Sequence, residues 1–414
     1  MQRFSGLAVA LRRGAWGPQW RAPEPQAAYD AVIVGGGGHG LATAFHLARD
    51  HGMSRIAVLE KGWIGGGNTG RNTTIIRSNY LFEESSRLYD HAVKKWEALS
   101  QTLNYNVMFS QRGVLMLAHT VHDVQVFQRH VHANRLNGVD NEWLSAEEAK
   151  EFCPPLRISA GMRYPVLGAA LQRRAGTARH DAVAWGYARA ADRRGVDIIQ
   201  NCEVTGIRQM GGRVVGLETT RGFIGAGKVG LACAGHSSTV AAMAGLRLPI
   251  ESHALQAFVT EGLQPLIDTV ITFGAGHFYI SQSDKGGLVF GGDIDGYNSY
   301  AQRGNLPTIE DVCEGGMALM PMLGRQRLLR HWGGIMDMSM DGSPIIDKTP
   351  VDGLYLNAGW CYGGFKATPA SGWCFAHLLA RDEPHEVAAA YRLDRFAKGH
   401  VIDEKGVGAQ PNLH

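Results

Sequence analysis

In AVIVGGGGHGLATAFHLA, residues 31–48, Gly35, Gly37 and Gly40 stand in the spacing GxGxxG, with Gly38 and His39 between the last two. An apolar run precedes them and an alanine-rich helical pattern follows, so the stretch predicts a strand, a tight turn and a helix. In that setting the first two glycines let backbone approach a pyrophosphate. The third lets helix and strand pack closely, and the helix N-terminus faces the phosphates. A second apolar run, 56–59, delivers Glu60 twenty residues beyond Gly40, where an acid suits the hydroxyls of an adenosine ribose. The pattern points to a dinucleotide without choosing between flavin and nicotinamide.

Three further groups could act beside that site. The loop opening at Lys61 and running to Tyr80 is too rich in Gly, Asn and Thr for a helix; Asn68, Thr69, Arg71 and Asn72 offer short donors and acceptors to a dinucleotide. Arg77 closes that loop, and spacing alone fits a solvated arginine as well as a site residue. Near the C-terminus, an apolar strand enters Gly359, Gly363 and Gly364, followed by Lys366 and a helix expected to begin near Pro369. The positive end of such a helix stabilises negative charge. Lys366 is a candidate site residue there, with a snorkelling lysine as the alternative. His180 and Asp181 begin a helix reaching Arg194; Asp181 suits a helix start, and His180 is ambiguous.

The elements that must hold these groups follow from periodicity. The 83–101 stretch is an amphipathic helix with Leu88, Ala92, Trp96 and Leu99 on one face. Two short strands are expected around Arg112 and Gly113, and a helix over 121–138 whose His122, His130 and His132 read as solvated. Residues 145–152 carry a Ser145/Glu148 capping box. Residues 227–236 repeat the strand–glycine–helix layout, whereas 250–295 alternates as antiparallel strands. A helix near 308–320 and the stretch 324–334 return the chain to the first layer. The expected fold is α/β: a Rossmann-like dinucleotide domain (29–100, 171–250 and 331–414) with an interleaved α+β substrate domain on a mainly antiparallel sheet (101–170 and 251–330). Residues 1–28 are an arm.

Composition agrees with a compact enzyme: 414 residues, 45% hydrophobic, 19% charged and a net charge of +3. Near balance gives no steering to nucleic acid or membrane. The six cysteines form no CxxC and read as packed thiols of a reducing compartment, Cys361 included. The arm is arginine-rich with one acid, but its apolar run is too short for a secretory core. A cytoplasmic location is expected. No metal is expected, since the histidines lack partners at ligand spacing.

Together, VIVGGGGHGLATA, Glu60, GGGNTGRNTTIIRSNY, LQRRAGTARHDAVAWG, IIQNCEVTG, ESHALQ, HWGG and GWCYGGFKATP resemble the β-subunit family of heterotetrameric sarcosine oxidases from Tyr29 to the end. The resemblance implies non-covalent FAD with its pyrophosphate at Gly35–Gly40, ribose at Glu60 and adenine near Val204. The flavin ring would lie between Arg71–Arg77 and Gly363–Lys366. It implies FMN attached covalently to His180, with Arg179, His253 and Arg330 as phosphate or ring contacts. It further implies sarcosine as substrate, its carboxylate paired to Arg77 and Lys366. Electrons would pass through FMN to oxygen, giving hydrogen peroxide with glycine and formaldehyde or 5,10-methylenetetrahydrofolate. Partner α, γ and δ subunits are implied, with NAD and tetrahydrofolate sites on α. The alternatives are a stand-alone FAD-dependent amine dehydrogenase or oxidase (dimethylglycine, proline or glycine), or a non-catalytic flavoprotein scaffold.

Overall fold

The computed structural model describes residues 18–159, 161–274 and 278–402. Residues 1–17 of the expected arm lie outside them; from residue 18 on the arm lies on the body, with Trp20 against the core and Arg21 paired to Asp192.

The first strand, Ala28–Val34, lies in the interior of a sheet ordered Ile345–Lys348, Leu354–Ala358, Gly222–Leu231, Ala28–Val34, Ile56–Leu59, Asp197–Ile199. Its pairing with Gly222–Leu231 and Ile56–Leu59 is parallel. Both faces of that strand are covered, which is why its sequence is an unbroken apolar run. Ala31 and Ile33 pack with Leu41, Phe45, Trp96, Tyr187 and Phe375 on one side; Val32 and Val34 pack with Leu59, Val229 and Leu231 on the other. Against the first side lie the helices Gly38–Asp50, Glu83–Leu103, His180–Asp192 and Gly364–Arg381.

The second sheet runs Leu328–Ser339, Ile250–Gly262, Gly287–Ile294, Phe278–Gln282, Val270–Phe273, Val114–Ala118, Gly168–Gln172, Glu142–Leu144. It is antiparallel except where Val270–Phe273 meets Val114–Ala118. A Rossmann-like layer joined to a mainly antiparallel sheet is thus the observed architecture. The expected helices appear at Glu83–Leu103, Val121–Leu136, Ala146–Phe152 and Leu306–Leu319, and the Ser145/Glu148 capping box is formed.

Three local expectations change. Around Arg112 and Gly113 there is one strand, starting at Val114, because Gly113 has φ +79° and ends the extended run. The stretch 324–334 does not return to the first layer: Leu328–Ser339 pairs along Ile250–Gly262, carrying the second sheet to residue 339. The last long helix begins at Gly364, not near Pro369, which lies inside it. Pro369 surrenders one N–H, and burial of this helix along nearly its whole length outweighs the lost bond.

The C-terminal turn is locked by Arg395, whose guanidinium binds both oxygens of Asp341 at 2.8 Å and donates to the carbonyls of Ser343 and Pro344. Both side chains are almost fully buried. Asp341→Ala leaves a buried cation without its partner and should cost about 3–5 kcal/mol, read as a fall in the thermal midpoint. Arg395 holds the Asp341 carboxyl below its ordinary pKa range although burial opposes it. Its contribution is therefore complete above the unfolded carboxylate pKa and fades as the pH falls through the lower folded value.

Candidate functional site

A cavity of about 1540 Å³ lies between the two sheets, from Glu60 and Val204 at one end to Arg77, Tyr362 and Lys366 at the other. It exceeds the roughly 300–1,000 Å³ of an ordinary small-ligand pocket. A dinucleotide and a small substrate are an occupancy of the right scale.

The fingerprint is built as the glycine spacing requires. Gly35 has φ +116°, and a Cβ there would stand 2.3 Å from the Ala232 carbonyl oxygen. A Cβ on Gly40 would stand 2.0 Å from the Gly35 carbonyl, so only glycine lets the helix start so close to the strand. Gly37 caps the helix without a side chain, and Gly37, Gly38 and His39 face the cavity. Glu60 is fixed by the amides of Gly36 at 2.9 Å and Gly62 at 2.8 Å. Thr69 accepts from the Gly38 amide at 3.0 Å, tying the polar loop to the helix terminus.

His39 lines the cavity while its ring is engaged with protein. Its Nδ1 meets Ser371 Oγ and its Nε2 meets the Gly364 carbonyl at 2.9 Å, so its ring joins the two helix starts and both nitrogens are spent on protein. Burial pushes its pKa down to about 4, and the Gly364 carbonyl only partly opposes that. Asn68 donates to the Ile335 carbonyl, and Arg71 to Gly66, Gly67 and Gln302. Asn72 accepts from the Thr74 amide, and Lys61 lies 3.2 Å from His236. All four line the cavity, as do Val204 and Gly364; Gly363 is buried one residue behind.

The far end of the cavity is cationic. Arg77 Nη1 donates to the Asn79 side chain at 2.9 Å, and its guanidinium lies 4.3 Å from the Tyr80 ring centroid. Lys366 is 7% exposed, and its Nζ donates to the Tyr362 carbonyl at 2.7 Å. Burial, then the Arg77 charge, drives the Lys366 pKa well below its ordinary value. Among the described residues neither cation has a carboxylate partner, and the cavity's carboxylates are Glu60, Glu203 and Asp337. Such a pair is complete only with an anion from outside.

Several lining residues carried no usable sequence signal. Asp337 accepts from the Gly359 amide at 2.6 Å and the Trp360 amide at 3.2 Å; burial lifts its pKa to about 6. It lies in Leu328–Ser339, a strand that the reading of 324–334 as a return to the first layer did not anticipate. Cys361 lines the cavity, and burial raises its thiol to about 12, so it is a packed thiol as expected. His132 is exposed; His122, also exposed, and the half-buried His130 line the cavity, because the helix carrying them lies over it.

The second set of expected contacts lies apart from this cavity. His180 is half-buried at the first position of His180–Asp192, and burial lowers its pKa. Arg179 is held by Asp181 at 2.8 Å and by Asp284 at 3.5 Å. His253 is buried, its Nδ1 on the Asp295 carbonyl, and Arg330 is exposed near the outer end of Leu328–Ser339. None of the four lines the cavity. No cluster that could hold a metal ion occurs among the described residues, and no described helix is long and apolar enough to cross a membrane.

Residues 30–378 match the family model of FAD dependent oxidoreductases. The chain belongs to this family. Its cavity is therefore that of an FAD enzyme, and the glycine turn, the anchored Glu60 and the glycine-capped helix terminus are the parts that fit the dinucleotide. The chain is 65% identical over its whole length, and that of the relative, to sarcosine oxidase subunit beta of Rhizobium meliloti. It is 54% identical to the Rhodobacter capsulatus subunit over 98% of both chains. Among solved structures, L-proline dehydrogenase from P. horikoshii superposes with a TM-score of 0.84 at 28% identity, covering 91% of this oxidoreductase and 99% of that chain. Gly35→Ala should give protein that retains little FAD, because strain and the Ala232 contact distort the turn; flavin-to-protein absorbance after desalting reads this directly.

Proposed function

We propose that this chain oxidises sarcosine as the catalytic β subunit of a heterotetrameric sarcosine oxidase. The observation carrying this reading is the pair of basic side chains, Arg77 and Lys366, for which the described residues supply no carboxylate, at the end of an FAD cavity in a chain 65% identical to such a subunit. The substrate's carboxylate satisfies both. Arg77 is the orienting group, held from behind by Asn79 and from below by Tyr80, and a guanidinium fork fixes the carboxylate plane. Lys366 places the second charge from the first turn of a buried helix. The amine enters its reactive form unprotonated, which the two neighbouring cations favour by repelling an ammonium. Bound FAD supplies two-electron acceptance from the N-methyl carbon, after which water releases formaldehyde and leaves glycine. The 28% identical proline dehydrogenase supports the same class of substrate, a secondary amine carrying a carboxylate.

The same reading puts a covalent FMN on His180, where it would carry electrons onward to oxygen and yield hydrogen peroxide. What supports it is an imidazole whose pKa burial lowers, favouring the unprotonated form a nucleophile needs, on a half-buried helix start outside the FAD cavity. Arg179 is occupied by Asp181 and Asp284. His253 and Arg330 remain the proposed phosphate or ring contacts, and surfaces of the α, γ and δ subunits would complete the site. Transfer of the one-carbon unit to tetrahydrofolate, and any NAD, belong to α. The expected cytoplasmic location is part of this proposal.

Arg77→Ala in the assembled enzyme should lower kcat/KM for sarcosine by about 10²–10³-fold while FAD stays bound; unchanged kinetics would refute the assignment. His180→Ala should abolish flavin that survives denaturation while leaving extractable FAD, a result read by mass spectrometry of the 171–186 region.

A further inference from the structure

The helix Val121–Leu136 covers the cationic end of the cavity with one face: His122, Val126, Arg129 and His130 line it, at intervals of four, three and one residues. His122 and Arg129 are also exposed to solvent. Residues that both line a cavity and meet solvent form its rim, so this helix face borders the way in. Arg77 and Lys366 lie deeper.

Among the described residues the charges along this path have one sign. Among the described residues Arg129 makes no ion pair or hydrogen bond, and the helix's own first-turn acid, Asp123, is turned to the amides of His119 and Thr120. The cavity's carboxylates are elsewhere: Glu60 and Asp337 are held by backbone amides, and Glu203 adjoins Val204 at the opposite end. Burial and then the charges of Arg77 and Arg129 hold the His130 ring down to about 4, so the imidazole between the arginines adds no charge and shields none at neutral pH. An amino acid whose amine has lost its proton carries a net negative charge, and this is the form that reacts.

We propose that Arg129 is a specificity-determining residue: a rim cation that favours carboxylate-bearing amines of zero or negative net charge and turns away amines carrying an additional cation. The inference rests on the sarcosine reading for its choice of amine, not for the sign of the field. An exposed charge acts through solvent, so its effect is moderate and falls with salt.

The test uses the assembled, flavin-loaded enzyme and methoxyacetate, which keeps the carboxylate but offers no N–H and is not dehydrogenated as an amine. Its dissociation constant is followed by the perturbation of flavin absorbance. Weakening by about two- to fivefold is expected in Arg129→Gln and by more in Arg129→Glu, with recovery in Arg129→Lys. The salt dependence of binding should flatten in Arg129→Gln. Sarcosine KM should rise in parallel with kcat kept, and discrimination against an N-methyl amine bearing an extra ammonium should shrink. Equal dissociation constants and salt slopes across the series would overturn the proposal, whatever the turnover. If methoxyacetate binding follows the charge at position 129 while sarcosine is not oxidised by the parent enzyme, the rim assignment stands and the sarcosine reading falls.

Discussion

The constraint on which the structure depends is the placing of two basic side chains, Arg77 and Lys366, at one end of a cavity whose described residues supply no acid to meet them. A buried ammonium is tolerated only with a partner or with a lowered pKa: among the described residues the Lys366 amine bonds only to the Tyr362 carbonyl, burial and then the Arg77 charge hold its pKa well below the ordinary value, and an incoming carboxylate is the partner that restores its charge. The arrangement is held by groups that have no freedom to rearrange. Lys366 projects from a helix buried along most of its length, and Trp96 donates to the Lys366 carbonyl at 2.7 Å. Arg77 is braced by Asn79, whose amide in turn meets Gln172 in the second sheet.

The rest of the fold can be understood as the means of bringing an electron acceptor to that pair. The parallel strands present their carboxyl ends and two glycine turns to one cavity, which is where an open α/β sheet binds ligands. His39 bonds the start of one helix to the start of the other, so the terminus expected to face the pyrophosphate and the terminus beside Lys366 move as one body. Asp337 performs the same service for the Gly359–Trp360 turn. The family assignment and the end-to-end likeness to sarcosine oxidase β subunits then give this geometry its chemistry.

Much of this was legible in the sequence, and the reasons are local. The glycine spacing with Glu60 is dictated by contacts within one strand–turn–helix unit, so it survives as a motif. The Rossmann-like layer and the antiparallel sheet were legible from periodicity, as were the capping box at Ser145 and the helix under Trp96. What escaped was set by distant contacts. Pro369 looked like a helix start because proline prefers the first turn, yet tertiary burial carries the helix back to Gly364. Residues 328–339 contain glycines and charges that disguise a strand, and only its long pairing with Ile250–Gly262 defines it, so Asp337 and Met336 were not foreseen in the cavity. His130 reads as solvated on helix periodicity alone; the direction in which the helix leans made it a cavity residue.

The most direct measurement is an anaerobic titration of the purified, fully assembled enzyme with sarcosine and, separately, with N-methylglycinamide, following flavin absorbance. The account predicts bleaching of FAD by sarcosine at low concentration and little or none by the amide, whose missing carboxylate leaves Arg77 and Lys366 unmet. Bleaching by both compounds at similar concentrations, or by neither, would contradict it.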